Sequence, residues 1–490
     1  MAVTSRRSSR RLTFTVLAAG AGFFAMLQSL ITPVLPTIQQ DLHTTQNTVT
    51  WVLTAYLLSA SIFTPILGRV GDMVGKERML VVSLAALALG CLLAAIAPNI
   101  GILILARVVQ GIGGAVFPLS FGIIRDEFPA ARVSTAVAAI SAIVAVGGGL
   151  GIVLAGPIVS TLDYRWLFWI PMIVVGLTAV AAHLFVPESP VRTPGRIDWR
   201  ATLLLSGWLV ALLLPISQGA AWGWTSTRVL GLLALAVVLL VGWLVTELRS
   251  KNPLIDMRMM RLPGVWTTNL VALLYGASMF SMYAFLPQFL QTPTAAGYGF
   301  GASISQAGLL MLPMVSAMFV AGVIAGRLQA VFSAKAQLAT GATFNVAASA
   351  MLATAHATRW EVAIAGGLVG LGIGLAFASM ANLIVASVPA SQTGVATGMN
   401  ANIRTIGGAI GAAVVSGVIT AHPQANGLPR EAGFTTGFLV LTAIALAAAL
   451  AALAVPSARR ASARRRSRTG GGQRPSGTAI SPSSDQSSCG

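Results

Sequence analysis

The sequence predicts an all-α polytopic membrane protein with fourteen transmembrane helices, and two observations support this. Of the 490 residues, 56% are hydrophobic and only 9% are charged, a composition far from that of water-soluble domains. The apolar residues fall into runs of roughly 20, which is the length that an α-helix needs to cross a bilayer. Short polar connections between the runs hold most of the charges. The chain is therefore expected to lie in a membrane along nearly its whole length.

The first apolar run follows a basic arm at residues 1–11 and reaches about Pro36. It is longer than the apolar core of a signal peptide and lacks a small-residue cleavage site, so we interpret it as an uncleaved first helix. The later runs are predicted at 49–68, 79–97, 102–124, 134–158, 166–186, 202–218, 229–247, 265–290, 303–327, 336–356, 360–386, 397–420 and 434–455. Residues 457–490, rich in Arg, Ser, Gly and Pro, are predicted to form a disordered basic cytoplasmic tail.

The positive charges predict the orientation of the chain. With the amino terminus inside, 25 Lys and Arg residues fall in cytoplasmic segments and 4 in outer loops. We therefore expect a multi-pass protein of the cell membrane with both termini cytoplasmic. The net charge of +18 then serves orientation and contact with anionic lipid rather than nucleic-acid binding. No metal site or cofactor is expected, because Cys91 and Cys489 are the only cysteines and the four histidines are scattered.

Three short motifs recur at offsets of 258–260 residues, which indicates an internal duplication. The matched segments are 68–69 with 326–327, 110–115 with 369–374, and 146–151 with 406–411. The chain then divides into an N-terminal six-helix bundle (12–186), a cytoplasmic linker (187–201), two inserted helices (202–247) and a C-terminal six-helix bundle (265–455). Two such bundles related by an axis along the membrane normal suit a rocking transporter with a substrate site between them.

The segment GRVGDMVGK at 68–76 lies in what the pattern predicts to be a short charged turn, residues 68–80. It resembles the loop signature G-x-L-x-D-r-x-G-r/k of the major facilitator superfamily. With fourteen spans, the chain resembles the drug:proton antiporter branch of that family over about residues 12–456. The resemblance implies a conformational latch, in which Asp72 accepts hydrogen bonds from a neighbouring helix amino terminus or from Arg69 and Arg78. The alternative is a solvated turn that only sets topology. The latch residues are Gly68, Arg69, Gly71, Asp72, Gly75, Lys76 and Arg78.

Two further segments carry the resemblance. The first, with Arg107, Gln110, Gly111 and Gly113, is similar to the signature of the fourth span, where the family's arginine is tied to proton coupling. The alternative for Arg107 is snorkelling to the nearby membrane surface. The second resembles the antiporter signature of the fifth span, although the family's proline falls at Ile152, so it is a weaker sign of antiport. Its residues are Gly147, Gly148, Gly151, Gly156 and Pro157.

The resemblance implies an exporter of small amphipathic drugs or antibiotics that works by alternating access, as a drug:proton antiporter and not as an enzyme. The substrate would be a hydrophobic or cationic small molecule, protons would be the coupling ion, and a monomer is expected. Isolated polar groups, aromatic residues and Met in the spans are candidates for substrate contact, with ordinary helix packing as the alternative. These candidates are Gln28, Trp51, Tyr56, Tyr275, Met279, Tyr283, Gln288, Asn402 and Arg404. Arg404 either contacts substrate or snorkels inward.

The chain shows no Asp or Glu deep within a predicted span, and this leaves a second function open. A dedicated exporter of one metabolite made by the same cell, coupled to protons in some other way, would fit an uncharged or anionic substrate. A non-transporting receptor or membrane-embedded enzyme is disfavoured, because the spans show no nucleophile, metal cluster or paired acids.

Overall fold

Long helices account for nearly all regular structure in the part of the chain that the computed structural model describes. That part is residues 10–456, apart from 190–197, 251–252, 330, 423 and 425–427. Most of the predicted arm, the middle of the predicted linker and the predicted tail lie outside the described residues. The helices are labelled α1 to α14 in chain order. Their bounds are α1 Arg10–Asp41, α2 Trp51–Val74, α3 Lys76–Ala95, α4 Ile100–Glu127, α5 Ala130–Thr161, α6 Trp166–Phe185, α7 Trp199–Gly219, α8 Thr227–Arg249, α9 Pro263–Gln291, α10 Ile304–Leu328, α11 Ala334–Thr354, α12 Arg359–Ser387, α13 Thr393–Thr420 and α14 Glu431–Ala454.

Thirteen of these described helices are long and apolar enough to cross a membrane, one fewer than the fourteen predicted. The exception is α11, which has the length, 21 residues, but a less apolar composition. It carries Gln337 and Asn345 on its buried side and packs between α12 and α14. Neighbouring helices rather than lipid therefore cover these two side chains, which lowers the apolar content of α11 without exposing their amides to lipid.

The prediction of a charged turn over 68–80 is wrong. Helix α2 continues to Val74 and α3 begins at Lys76, so Gly75 is the only residue between them. Its φ of 139° is open to glycine and strained for other residues. Arg69 and Asp72 are therefore helical residues on the last turns of α2, which fixes the direction in which they point.

The helices pack in a pattern that repeats eight helices further along the chain. In the first half, α1 packs on α5, both α2 and α3 pack on α4, and α3 also packs on α6. In the second half, α9 packs on α13, both α10 and α11 pack on α12, and α11 also packs on α14. The halves meet through two equivalent pairs, α2 with α13 and α5 with α10. This duplicated packing matches the duplicated motifs, whereas the domain boundaries themselves stay a prediction.

The inserted hairpin of α7 and α8 lies against one side of this arrangement. Helix α7 packs on α2 and α13, so it covers the junction between the halves. Near its end the buried Gln218 donates a hydrogen bond from Nε2 to Oγ1 of Thr54 on α2, at 3.2 Å. Helix α8 packs on α7 and exposes apolar side chains such as Leu230 and Val238, as expected of a surface in contact with lipid.

The two ends of the bundle differ in charge. One carries Arg69, Lys76, Arg125 and Arg132 at the ends of α2 to α5, and we call it the basic end. The other, where α1 and α9 end and α2 begins, is called the far end.

Candidate functional site

A cavity of about 240 Å³ lies between the two halves, midway along the helices. Its wall is mainly apolar and aromatic, with scattered hydroxyl and amide groups. Six of the nine predicted substrate-contact residues line it: Gln28, Tyr56, Met279, Tyr283, Asn402 and Arg404. The aromatic wall also includes four residues that the sequence did not single out: Phe24, Phe117, Phe280 and Phe377. Phenylalanine is common in every apolar run of this chain, so only the three-dimensional packing distinguishes these four.

A second cavity, of about 330 Å³, adjoins the first on the side of the far end. Gln288 lines this cavity, and Tyr283 lines both. Trp51 and Tyr275 line neither. Tyr275 lies buried between helices, where its hydroxyl donates a hydrogen bond to the carbonyl of Gly341 at 3.2 Å. Trp51 is the first residue of α2 and lies above the cavity toward the far end.

Arg404 lies at the floor of the central cavity, toward the basic end. It is eleven residues into α13, about 16 Å along the helix, too deep to reach the basic end by snorkelling. Its guanidinium carbon lies 4.4 Å from the ring centroid of Phe377 on α12 and 5.9 Å from that of Phe117 on α4. Among the described residues, no carboxylate pairs with this guanidinium and no acceptor takes a hydrogen bond from it.

Arg107 has a different environment within the first half. Its side chain is fully buried, which excludes snorkelling. Its Nε donates to the carbonyl of Val52 at 3.0 Å, and its Nη1 donates to Oε1 of Gln110 at 2.6 Å. The ring of Tyr56, a cavity residue, lies 4.1 Å from the guanidinium carbon. Arg107 therefore joins α4 to the start of α2 and touches the wall of the cavity from behind.

The glycines of the α4 motif allow this close contact. A Cβ on Gly111 would lie 2.4 Å from Cβ of Ser59 on α2. A 3₁₀ turn at Ile112–Ala115, which contains Gly113 of the motif, then interrupts α4. Interruptions of this kind at glycine change the direction of a helix. The sequence located the motif but did not predict the turn.

Asp72 lies buried at the basic end, where α2 meets the start of α13. Its Oδ2 accepts a hydrogen bond from the backbone N–H of Val395 at 3.3 Å, in the first turn of α13. Its Oδ1 lies 3.5 Å from Nζ of Lys76, and the same ammonium lies 2.7 Å from Oδ2 of Asp126 on α4. A carboxylate is favourable at a helix N-terminus, where the backbone N–H groups and the helix dipole face it. Of the partners expected, the helix terminus is present, and the basic residue that pairs with Asp72 is Lys76 rather than Arg78.

Arg78 is not a partner of Asp72. It is largely exposed, and its Nε lies 3.4 Å from Oε2 of Glu188, beyond the end of α6. On the first turn of α3, Lys76 faces Asp72, whereas Arg78 reaches the carboxylate of Glu188 instead. Gly68 has a steric role, since a Cβ there would lie 3.0 Å from the carbonyl oxygen of Gly394 at the start of α13. A Cβ on Gly71 would lie 2.3 Å from Cδ2 of Leu119 on α4.

Arg125 makes a second connection at the basic end, which none of the sequence motifs predicts. Its Nη1 donates to the carbonyl of Val385 at 2.7 Å and to Oγ1 of Thr393 at 2.8 Å, and its Nη2 donates to the carbonyl of Val388 at 2.7 Å. These carbonyls belong to the C-terminal end of α12, where a cation is favourable. Arg125 and Asp72, both from the first half, therefore hold the two ends of the α12–α13 connection.

A third connection joins the same end of the bundle through α5 and α10. Ser134 Oγ donates a hydrogen bond to Oε1 of Gln329, just beyond the end of α10. The Asp72, Arg125 and Ser134 contacts together are called the basic-end gate. Each of these three contacts between described residues connects the first half to the second.

The glycines of α5 face several partners. A Cβ on Gly147 would lie 2.4 Å from the carbonyl oxygen of Gly22, and one on Gly151 would lie 2.5 Å from that of Met26, both on α1. Gly148 instead lines the central cavity. Gly156 faces the other half, where a Cβ would lie 2.7 Å from Cα of Ser305 on α10, and Pro157 lies inside α5 without ending it. The segment therefore brings α5 close to α1 in its own half and to α10 in the other half.

Comparison with known proteins gives a consistent picture. The sequence profile of the Major Facilitator Superfamily matches residues 17–412 and 268–482. The tetracenomycin C resistance and export protein of Streptomyces glaucescens is 28% identical, over 86% of this chain and 77% of its own. The multidrug transporter protein MdtP of Bacillus subtilis is 27% identical, over 88% and 81%. The methylenomycin A resistance protein of Streptomyces coelicolor is 30% identical, over 83% and 85%.

Among solved structures, the human organic anion transporter MFSD10 superposes with a TM-score of 0.66. The match covers 91% of this chain and 100% of that one, at 14% sequence identity. At this identity the likeness concerns the fold.

Proposed function

Because the chain belongs to the Major Facilitator Superfamily, we propose that it exports small amphipathic drugs or antibiotics by alternating access. Members of this family are multi-pass membrane transporters rather than enzymes. The names of the relatives above favour export of toxic compounds over uptake of nutrients. The observation that carries the proposal is the central cavity between the halves, closed at the basic end and adjoined by a second cavity on the side of the far end.

We place the protein in the cell membrane with the basic end, and both termini, in the cytoplasm. The asymmetry of Lys and Arg between the two ends supports this orientation. The structure then corresponds to a conformation whose cavity faces outward, ready to release a substrate. In the opposite conformation the basic-end gate would be open, and the same cavity would load from the cytoplasm or from the inner leaflet.

The basic-end gate is proposed as the latch of this cycle. Asp72 and Arg125 form hydrogen bonds between a charged side chain and a helix end, and Ser134 bonds the uncharged Gln329; all three contacts can break as a set when the halves rock apart. Asp72 acts on the start of α13 and Arg125 on the end of α12. Gly68 and Gly71 permit the close approach of helices that these contacts require.

Transport is proposed to be driven by inward proton flow, with Arg107 as the coupling residue. Arg107 binds Gln110 and contacts Tyr56, so a change at this network reaches the cavity wall directly. Asp72 is the buried carboxylate placed to exchange a proton as the gate opens and closes. The working unit is proposed to be the monomer, since one chain encloses the whole cavity.

Transport in proteoliposomes with an imposed pH gradient tests this proposal. The panel is ethidium, the neutral antibiotic chloramphenicol and the aromatic acid 2-naphthoate, each with and without a protonophore. Uptake of any of the three that collapses with the protonophore supports proton-driven export. Failure to transport any of them, by protein shown to be folded, contradicts it.

A dedicated exporter of one metabolite is the second candidate. It is favoured by the described lining of the cavity, which holds no acidic residue to attract cationic drugs. Resistance conferred on a pump-deficient host separates the two candidates. Resistance to several unrelated scaffolds indicates a multidrug exporter, whereas resistance to a single scaffold indicates the dedicated one.

A further inference from the structure

We propose that the preferred substrates of the central cavity carry an acidic group on an aromatic body, and that Arg404 binds this group. The inference rests on the proposed function, since it assumes that the cavity is the substrate site. It narrows the substrate class from hydrophobic or cationic molecules to aromatic organic anions.

The charge of the cavity is the first reason. Of the described residues that line the central cavity and the cavity adjoining it, Arg404 is the one that carries a charge. A cationic ligand would meet a like charge there without any lining carboxylate to offset it. An anionic ligand would instead neutralise a cation that lies near the middle of a membrane protein, where unpaired charge is costly.

The geometry of Arg404 is the second reason. Its guanidinium carbon lies over the rings of Phe377 and Phe117, and neither ring offers a carboxylate or carbonyl acceptor. A guanidinium carries five N–H donors in a planar fork that matches a carboxylate in a two-pronged pair. The described residues provide no such carboxylate, whereas the buried Arg107 has two acceptors. The two rings also form an apolar surface beside the charge, which suits an acid attached to an aromatic group.

Two unpartnered polar side chains supply the third reason. Asn402 lines the cavity, is 2% exposed, and neither its Nδ2 nor its Oδ1 has a hydrogen-bond partner. Ser61, on α2 of the first half, also lines the cavity and is 2% exposed, and its Oγ has no partner. Buried polar groups are normally hydrogen-bonded, so such a pair indicates a place where a ligand supplies the partners. A substrate held by Arg404, Asn402 and Ser61 would contact both halves of the transporter.

The opposing explanation is that Arg404 only packs the halves together through its two aromatic neighbours. Packing of that kind depends on the stacked face and not on the charge of a ligand. The two explanations therefore differ in whether an acid binds better than an uncharged molecule of the same shape.

Calorimetry on the full-length protein in lipid nanodiscs tests this difference, with empty nanodiscs as the reference for lipid partitioning. The probes are 2-naphthoate, the neutral 2-naphthamide and the cationic 2-naphthylmethylamine. We expect the acid to bind at least about 10-fold more tightly than the amide, as a charge-assisted pair requires, and the amine to bind most weakly. Equal affinities for acid and amide, or a preference for the amine, would overturn the proposal.

Arg404→Gln should lower the affinity for 2-naphthoate by about 10-fold or more and change that for the amide by less than about 3-fold. The control is Arg327→Gln, which removes an exposed arginine at the end of α10 that lines neither cavity. An acid preference that survives Arg404→Gln would refute the role of Arg404. If that variant does not fold, the pH dependence of binding to the wild-type protein tests the proposal. Lowering the pH through the pKa of the ligand's carboxyl should weaken binding of the acid but not of the amide. Equal pH profiles for the two ligands would refute the proposal.

The transport assay separates this inference from the proposed function. Arg404-dependent binding of 2-naphthoate without transport of any compound would contradict export and support the binding site. Protonophore-sensitive transport of ethidium or chloramphenicol, with no preference for the acid, would support export and overturn the acid-binding site.

Discussion

Loss of the Arg125 side chain should open the basic end. Arg125→Gln removes the three hydrogen bonds from the guanidinium to Val385, Val388 and Thr393. Hydrogen bonds to charged groups contribute about 1.5–3 kcal/mol each when fully buried. Because Arg125 is only half-buried, water competes for these acceptors, and we take about 1 kcal/mol for each. The total of about 3 kcal/mol corresponds to a shift of roughly 100-fold in the equilibrium between the closed and open gate.

The shift can be measured as a distance across the basic end. Pulsed electron paramagnetic resonance measures this distance between spin labels on two introduced cysteines, one in each half. The substitutions are Val74→Cys, at the end of α2, and Phe332→Cys, just before α11. Both positions are exposed, whereas the native Cys91 is buried and should stay unlabelled. A Cys489→Ser background removes the other thiol. Arg125→Gln should show a population at a longer distance between the labels, and this population should be minor or absent in the labelled protein that keeps Arg125.

Arg132→Gln is the matched control for this measurement. Arg132 is an exposed arginine at the start of α5, on the same end of the bundle, and its side chain has no hydrogen bond to another described residue. Its removal changes the net charge by the same amount. If both variants gave the distance distribution of the parent protein, the contacts of Arg125 would not hold the gate closed.

Three further predictions concern the latch, the coupling residue and the packing of α5. Asp72→Asn should reduce drug export from intact cells at least about 10-fold without loss of expression, because the charge facing the α13 terminus disappears; export at the wild-type rate would remove Asp72 from the latch. Arg107→Lys keeps the charge but not both hydrogen bonds, so proton-driven uptake should fall while ligand affinity by calorimetry stays within about 3-fold; unchanged uptake would exclude Arg107 from coupling. Gly147→Ala would put Cβ 2.4 Å from the backbone oxygen of Gly22, whereas on Gly148 the nearest atom lies at 3.7 Å. Thermal unfolding should therefore show a loss of about 1–3 kcal/mol for Gly147→Ala alone, and equal Tm values for the two alanine variants would contradict the tight contact.

The general fold follows from the sequence because lipid imposes a strong rule. A chain that crosses a bilayer must pair its backbone groups within each segment, so long apolar runs become helices. Helix α11 departs from this pattern because its buried side, which packs on α12 and α14, carries polar residues such as Gln337 and Asn345. The charged segment at 68–80 was predicted as a turn for a related reason, since charges suggested an exposed loop. Its charges instead lie at helix ends, where Asp72 and Lys76 find buried partners.

The site was predictable in part. Motifs located Asp72 and Arg107 because both lie in short patterns rich in glycine. Close approach of two helices requires glycine at the contact, so such patterns are visible in the sequence. The role of Arg125 as a contact was not detectable, because its acceptors lie about 260 residues away in sequence and two of them are backbone carbonyls that any residue would provide. For the same reason Tyr275 could not be separated from Tyr283: both lie in α9, and only the packing shows which one reaches the cavity.

The two arginines within the spans show why a deep charge alone does not define a role. An arginine at the centre of a membrane helix costs about 2.5–3.5 kcal/mol on insertion scales, and the protein must offset this. Arg107 does so inside its own half, through the carbonyl of Val52 and the side chain of Gln110. Arg404 instead lies against rings from both halves, at the surface of a cavity and without a described acceptor. A cation–π contact recovers about 2 kcal/mol or more when desolvated, but it gives the N–H groups no hydrogen-bond acceptor, so water in the cavity or an anion must supply one. If the far end closes only after an anion has replaced that water, then Arg404 selects the substrate and also makes closure of the empty carrier unfavourable.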